Sequence, residues 1–176
     1  KFNYKMWHAQ GWSELAHWLT GQDLRIVLTG SNAKEELNYI AKILPSLPND
    51  TVNLAGQLSL EQSACLLSHA AIYVGPDTAL THIAAALGVP TVALYGPSNP
   101  VKWGPWPKNH SGDNPWKRLG SQNAGNVALV QGKSACVPCL LEGCDRNIAS
   151  FSDCLQELKA QKVIAAAEML LNKPAP

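Results

Sequence analysis

Two groups of residues carry types and spacings that could do chemistry. The first is Gly75-Pro76-Asp77-Thr78-Ala79-Leu80-Thr81-His82. It follows an apolar run and opens a helical pattern, and helical spacing puts Thr78, Thr81 and His82 on one polar face. The free N–H groups and positive dipole end of such a helix attract anions, and hydroxyls with an imidazole beside them suit a phosphate or pyrophosphate. The same residues would also sit on a capped core helix whose polar face meets water. The second group is Cys136, Cys139, Cys144 and Cys154, spaced C-x2-C-x4-C-x9-C. Four thiolates this close could hold structural zinc or an iron–sulfur cluster. Only the first pair has a regular metal-knuckle spacing, so reduced thiols or adventitious disulfides are the competing reading. Cys65 lies alone in an apolar helical stretch and reads as packing.

The elements that must position these groups follow from periodicity. Trp12, Leu15, Ala16 and Leu19 form one stripe of a helix over 11–20, with Gly21 at its end. A short buried strand is expected over 24–29, ending at Gly30. Asn32 and Glu35 have capping-box spacing before a helix with Leu37, Ile40, Ala41 and Leu44 on its inner face. A weak strand over 51–54 precedes a second capping box, Ser59 and Gln62, and a helix to about Ser68. The next strand, over 71–74, leads to Gly75. Asp77 is then expected to cap a helix over 78–87 with Leu80, Ile83, Ala84 and Leu87 inward, before a strand over 91–95. The segment 98–126 has no period and reads as a long loop, with Trp103, Trp106 and Trp116 pinning it or facing a ligand. A strand over 127–130, the cysteine-rich loop 134–154 and a helix from about 153 to 171 complete the chain.

Strands and helices alternating at roughly 20-residue spacing describe an α/β fold, a Rossmann-like parallel sheet with helices on both faces. Ligands of such sheets sit beyond the carboxyl ends of the strands, which directs attention to 29–33, 56–60, 75–82 and 96–107. Composition narrows the function classes. The chain has 176 residues, 46% of them apolar and 15% charged. That supports one domain with a real core and argues against disorder. Fourteen Lys and Arg against 13 Asp and Glu give a net charge of +1 with no basic block, so a nucleic-acid partner is not indicated. The most apolar run, 79–95, is broken by Thr81, His82, Gly88 and Pro90, so no membrane-spanning helix is expected. No signal peptide is visible. The chain opens Lys1-Phe2-Asn3-Tyr4 without an initiator Met, which reads as a fragment or processed product.

Residues 77–100, from Asp77-Thr78-Ala79-Leu80-Thr81-His82 through Ala84-Ala85-Ala86-Leu87-Gly88-Val89-Pro90 to Tyr95-Gly96-Pro97-Ser98-Asn99-Pro100, resemble the signature of glycosyltransferase family 9. These are the ADP-heptose:lipopolysaccharide heptosyltransferases and their relatives. The family pattern is roughly Asp-Thr/Ser-Gly-x-x-His-x-Ala-Ala-Ala-Leu-Gly-x-Pro, a strand, then Phe/Tyr-Gly-Pro-Thr-x-Pro. Ala79 departs from it, standing where the family usually has Gly. Weaker similarity runs from Lys5-Met6-Trp7 to the tail.

The resemblance implies the two-domain GT-B arrangement, of which residues 1–176 would be the carboxyl-terminal, nucleotide-sugar-binding half. The amino-terminal half would bind a lipopolysaccharide or glycan acceptor and supply the catalytic base, so no catalytic residue is expected in this chain. Lys5, Asp77, Thr78, Ala79, Leu80 and His82 would contact donor phosphates and sugar. Gly96 and Ser98 would add contacts through backbone and hydroxyl. Glu35 would either accept from a ribose hydroxyl or be only the capping-box acid, the latter reading leading. The transfer would be inverting, with ADP-heptose as default donor and no required cofactor, since no Asp-x-Asp centre is present. A cytoplasmic location, at the inner face of the inner membrane through peripheral association, goes with that role. The competing expectation is a stand-alone, non-catalytic nucleotide-binding or metal-stapled interaction module.

Overall fold

The computed structural model describes residues 2–173. A short 3-10 turn, Asn3–Lys5, precedes helix α1 (Ala9–Thr20). Strand β1 (Val27–Leu28), helix α2 (Lys34–Ile43) and strand β2 (Val52–Asn53) follow. Next come α3 (Leu60–Leu67), β3 (Tyr73–Pro76), α4 (Ala79–Leu87), β4 (Thr91–Tyr95) and α5 (Pro100–Trp103). The chain closes with β5 (Gln122–Ala124), β6 (Val127–Gln131), α6 (Asp153–Gln156) and α7 (Ala160–Leu171).

The main sheet has the order β3-β4-β6-β5, and β1 and β2 form a separate parallel pair. β3, β4 and β6 run parallel, while β5 is an antiparallel edge beside β6. Every residue of β4 and β6 is buried, which is why both read as unbroken apolar runs rather than alternating ones. Val92, Leu94, Ala128 and Val130 face one layer, built on Leu15 and Leu19 of α1 and Val163, Ala167 and Leu170 of α7. Ala93, Tyr95, Val127 and Leu129 face the other, against Ala85 of α4 and Trp116. Helices on both faces of a largely parallel sheet are the expected α/β architecture.

Several local expectations are corrected. The strand expected over 24–29 is a two-residue pair with Val27 exposed, because its partner β2 is equally short. No capping box forms at Asn32 and Glu35: α2 starts from Ala33 with no side-chain cap, and the Ser31 hydroxyl donates to Glu36 instead, at 2.5 Å. The box at Ser59 and Gln62 is present in both directions. Ile43 rather than Ala41 is buried on α2. The long loop over 98–126 contains α5, whose Asn99 side chain accepts from the Val101 N–H with Pro100 in the first turn, and β5. The tail is two helices, not one. The Leu158 carbonyl between them is taken by the Trp7 indole at 2.7 Å and the His8 imidazole at 2.9 Å, so it cannot serve a continuous helix. Cys65 is exposed, not packed.

Candidate functional site

The end of β3 turns through Asp77 and Thr78 into α4, and the end of β4 turns through Gly96-Pro97-Ser98 beside it. A cavity of about 440 Å³ opens between them, lined by Lys5, Asp77, Thr78, Ala79, His82 and Ser98 among others. It lies beyond the carboxyl ends of the central strands, where ligands of such sheets bind. Thr78 has extended backbone and is the N-cap of α4, but its side chain does not cap. The N–H groups of Ala79 and Leu80 therefore keep the unsatisfied donors of a helix start.

Asp77 is the hub. It is 8% exposed. Its Oδ2 accepts from Lys5 Nζ at 2.8 Å and from Ser98 Oγ at 2.8 Å. Its Oδ1 is 3.3 Å from the Tyr95 hydroxyl and 3.6 Å from His82 Nε2. Lys5 also donates to the Asp77 carbonyl at 3.1 Å. Burial pushes the Asp77 carboxyl up, but the His82 and Lys5 side chains, the Lys5 charge and the Ser98 hydroxyl outweigh it and hold the pKa at about 2. Tyr95 is driven well above its ordinary range by burial and by the Asp77 charge, and its hydroxyl also donates to the Trp103 carbonyl. Asp77 thus organises the site instead of capping α4, the role expected of it.

Lys5 is held in place by the chain on either side of it. Asn3 is tied through its N–H to the Ile148 carbonyl and through its side chain to the Ala149 carbonyl, at 3.1 and 2.8 Å. Trp7 is 1% exposed. These anchors on either side aim Lys5 at the start of α4. Of its three ammonium protons, two serve Asp77 and one is left for a ligand.

The expected residues divide. Lys5, Asp77, Thr78, Ala79, His82 and Ser98 come together on one cavity. Leu80 does not line it, and its side chain packs with Leu67, Ala84 and Val89. Thr81 does not share the polar face: it is fully buried and its hydroxyl donates to the Pro76 carbonyl. Gly96 is buried away from the cavity, and a Cβ there would lie 2.8 Å from the Cys154 sulfur. Glu35 is exposed on α2 and lines no part of the site. Tyr4, Pro97, Trp103, Leu140, Leu141 and Glu142 line the cavity without having been singled out for it. Tyr4 adjoins Lys5 and Trp103 was one of three loop tryptophans, but nothing local marks residues 140–142. Trp116 does pin its loop, 3% exposed with its indole donating to the Pro105 carbonyl at 3.0 Å.

The four cysteines of the loop differ in their surroundings. Among the described residues no group of three or more His, Cys, Asp or Glu side chains is placed to hold a metal ion. Cys136 and Cys144 are exposed, Cys139 is half-buried and Cys154 is buried. Burial, with the other three thiols nearby, pushes the Cys154 thiol up to about 12. Among the described residues no helix is long and apolar enough to cross a membrane.

Known proteins are similar to this chain in sequence and fold. Residues 1–112 match the model of glycosyltransferase family 9 (heptosyltransferase). The chain is 39% identical over 100 residues to lipopolysaccharide heptosyltransferase 2 of Salmonella typhimurium, covering 54% of this chain and 28% of that protein. It is 28% identical to lipopolysaccharide heptosyltransferase 3 of Escherichia coli K12 over 98% of its own length and 44% of that protein's. The solved structure of Escherichia coli ADP-heptose lipopolysaccharide heptosyltransferase II superposes with a TM-score of 0.73 at 25% identity, over 97% of this chain and 43% of that one. The chain spans less than half the length of each of these relatives. With the family model matching well over half of its residues, this chain belongs to glycosyltransferase family 9, the heptosyltransferases.

Proposed function

We propose that residues 1–176 are the carboxyl-terminal, donor-binding half of an inverting GT-B glycosyltransferase of lipopolysaccharide core or related glycan assembly, with ADP-heptose as donor. The observation that carries this is the convergence of the α4 N-terminus, Lys5 and His82 on one cavity. ADP-heptose enters through the named Escherichia coli relative, whose fold this chain shares. The amino-terminal half would hold the acceptor and the base, and the reaction would run at the cytoplasmic face of the inner membrane.

The residues divide the work simply. A helix N-terminus contributes about 0.3–1 kcal/mol toward an anion, and a charge-assisted hydrogen bond about 1.5–3 kcal/mol. The ionised Asp77 holds the Lys5 ammonium in place while cancelling most of its charge. Pyrophosphate affinity then rests on the Ala79 and Leu80 N–H groups, the remaining Lys5 proton and the Thr78 hydroxyl. When the acceptor oxygen displaces the nucleoside diphosphate at the anomeric carbon, charge grows on that phosphate oxygen, and these donors stabilise it.

Calorimetric titration of the 176-residue chain with ADP tests the reading. A dissociation constant between about 10 μM and 1 mM is expected, corresponding to about 4–7 kcal/mol. Thr78→Val with His82→Ala should weaken ADP about tenfold without changing the unfolding transition. No heat and no thermal stabilisation at about 5 mM ADP would overturn the assignment. The chain by itself should transfer no sugar.

A further inference from the structure

The cavity is electrically two-sided. On the α4 side, both basic groups lean on Asp77: Lys5 at 2.8 Å and His82 at 3.6 Å. The cysteine-rich loop brings Leu140, Leu141 and Glu142 to the same cavity. This wall is held in place. The Leu140 N–H donates to the Pro97 carbonyl at 2.9 Å and the Cys144 N–H to the Phe151 carbonyl at 2.9 Å. Leu140 and Gly143 both have left-handed backbone, φ 64° and 83°, turning the chain sharply on either side of Leu141-Glu142. Gly143 lies against buried Ser150, where a Cβ would come within 2.5 Å of the serine Cβ. Among the described residues the Glu142 carboxylate has no hydrogen-bond or ion-pair partner.

A carboxylate is an acceptor-only group that can take two or more hydroxyl protons and repels a second anion. We infer that Glu142 is a specificity-determining residue of the donor site, accepting from the hydroxyls of an uncharged sugar and rejecting sugars that carry a carboxylate. This rests on the nucleotide-sugar reading above. The diphosphate goes to the α4 N-terminus and Lys5, and the sugar extends toward residues 140–142.

The test is calorimetric titration of the full chain with ADP, ADP-heptose and ADP-glucuronate. The wild-type protein should bind ADP-heptose about tenfold tighter than ADP, and ADP-glucuronate more weakly than ADP, as expected for charge-assisted hydrogen bonds on one side and like-charge repulsion on the other. Glu142→Ala removes an exposed side chain with no partner among the described residues and should leave the fold intact. In this variant ADP should bind within about twofold of wild type, the heptose gain should vanish, and ADP-glucuronate should gain about tenfold. Glu142→Gln, uncharged but still an acceptor, should admit ADP-glucuronate while keeping part of the heptose gain. ADP binding with unchanged ratios in both variants would overturn the Glu142 role alone. No binding of ADP by the wild-type chain would overturn the donor-site reading and this one with it.

Discussion

Lys5 Nζ and Asp77 Oδ2 stand 2.8 Å apart, joining the start of the chain to the turn between β3 and α4. The two groups reach across 72 residues, and their side chains are 25% and 9% exposed. The pair closes one side of the candidate site and fixes where its ammonium sits. The start of α4 has no side-chain cap, since its N-cap Thr78 makes no capping hydrogen bond and the acid before it is engaged by Lys5 and Ser98. The helix start keeps free donors because Asp77 does not consume them.

Replacing either partner should therefore have unequal consequences. Asp77→Ala removes the side-chain acceptor of both the Ser98 hydroxyl and the Lys5 ammonium, and should cost roughly 2–4 kcal/mol. Lys5→Met leaves Asp77 with Ser98 and Tyr95 still donating and should cost roughly 1–2 kcal/mol. Urea denaturation of the two variants checks the order, and equal losses would contradict the hub role of Asp77.

The same carboxylate makes stability depend on acid. Its folded pKa of about 2 lies below its ordinary 3.8, so its contribution is fully present above 3.8 and is lost as pH falls from there toward about 2. The shift corresponds to about 2 kcal/mol. In melting curves from pH 6 to pH 2.5, the gap between wild type and Asp77→Asn should narrow through this window. A gap independent of pH would mean that Asp77 is not held ionised by its neighbours.

What could be read from the sequence depended on how local the deciding contacts are. β4 and β6 were legible because both faces of each strand are covered, so each is apolar throughout. Ser59 and Gln62 were legible because a capping box closes within four residues. Asn32 and Glu35 carry the same spacing, yet Ser31 pairs with Glu36 and the helix starts from Ala33. Asp77 had the type and position of a cap, but its partners Lys5, Tyr95 and Ser98 lie far along the chain. The expectation of free donors at the α4 start does not depend on that cap, since it rests on backbone N–H groups. The wall at 140–142 was not legible at all. It reaches the cavity through the Leu140–Pro97 hydrogen bond and two left-handed residues, neither of which leaves a periodic pattern.

Gly132, just past β6, shows how tightly the strand end packs against α6. A Cβ at Gly132 would lie 2.0 Å from the Cys154 carbonyl oxygen, a backbone atom that cannot swing aside. Cys154 and Leu155 are both core residues, so relief requires moving α6 within the core. Gly132→Ala should destabilise by about 3 kcal/mol. Thermal or urea unfolding measures this, and a loss under about 1 kcal/mol would show that α6 is free to move.

The five cysteines should differ sharply in reactivity, and their pattern also tests the metal reading. Thiolate is the nucleophile, so rate follows both exposure and ionisation. Cys65, Cys136 and Cys144 are exposed, whereas Cys154 is buried with its thiol pushed up to about 12. Against an ordinary thiol near 9, that lowers the thiolate fraction at pH 8 about a thousandfold before burial is counted. Native alkylation with iodoacetamide, followed by peptide mass mapping, should label Cys65, Cys136 and Cys144 first and Cys154 last. Denaturation should level the rates. If Cys136 and Cys144 were instead protected together with Cys139 and Cys154, and a chelator released all four, a bound zinc or iron centre would be the cause. Rapid native labelling of Cys136 and Cys144 with no chelator effect is the outcome this arrangement of thiols predicts.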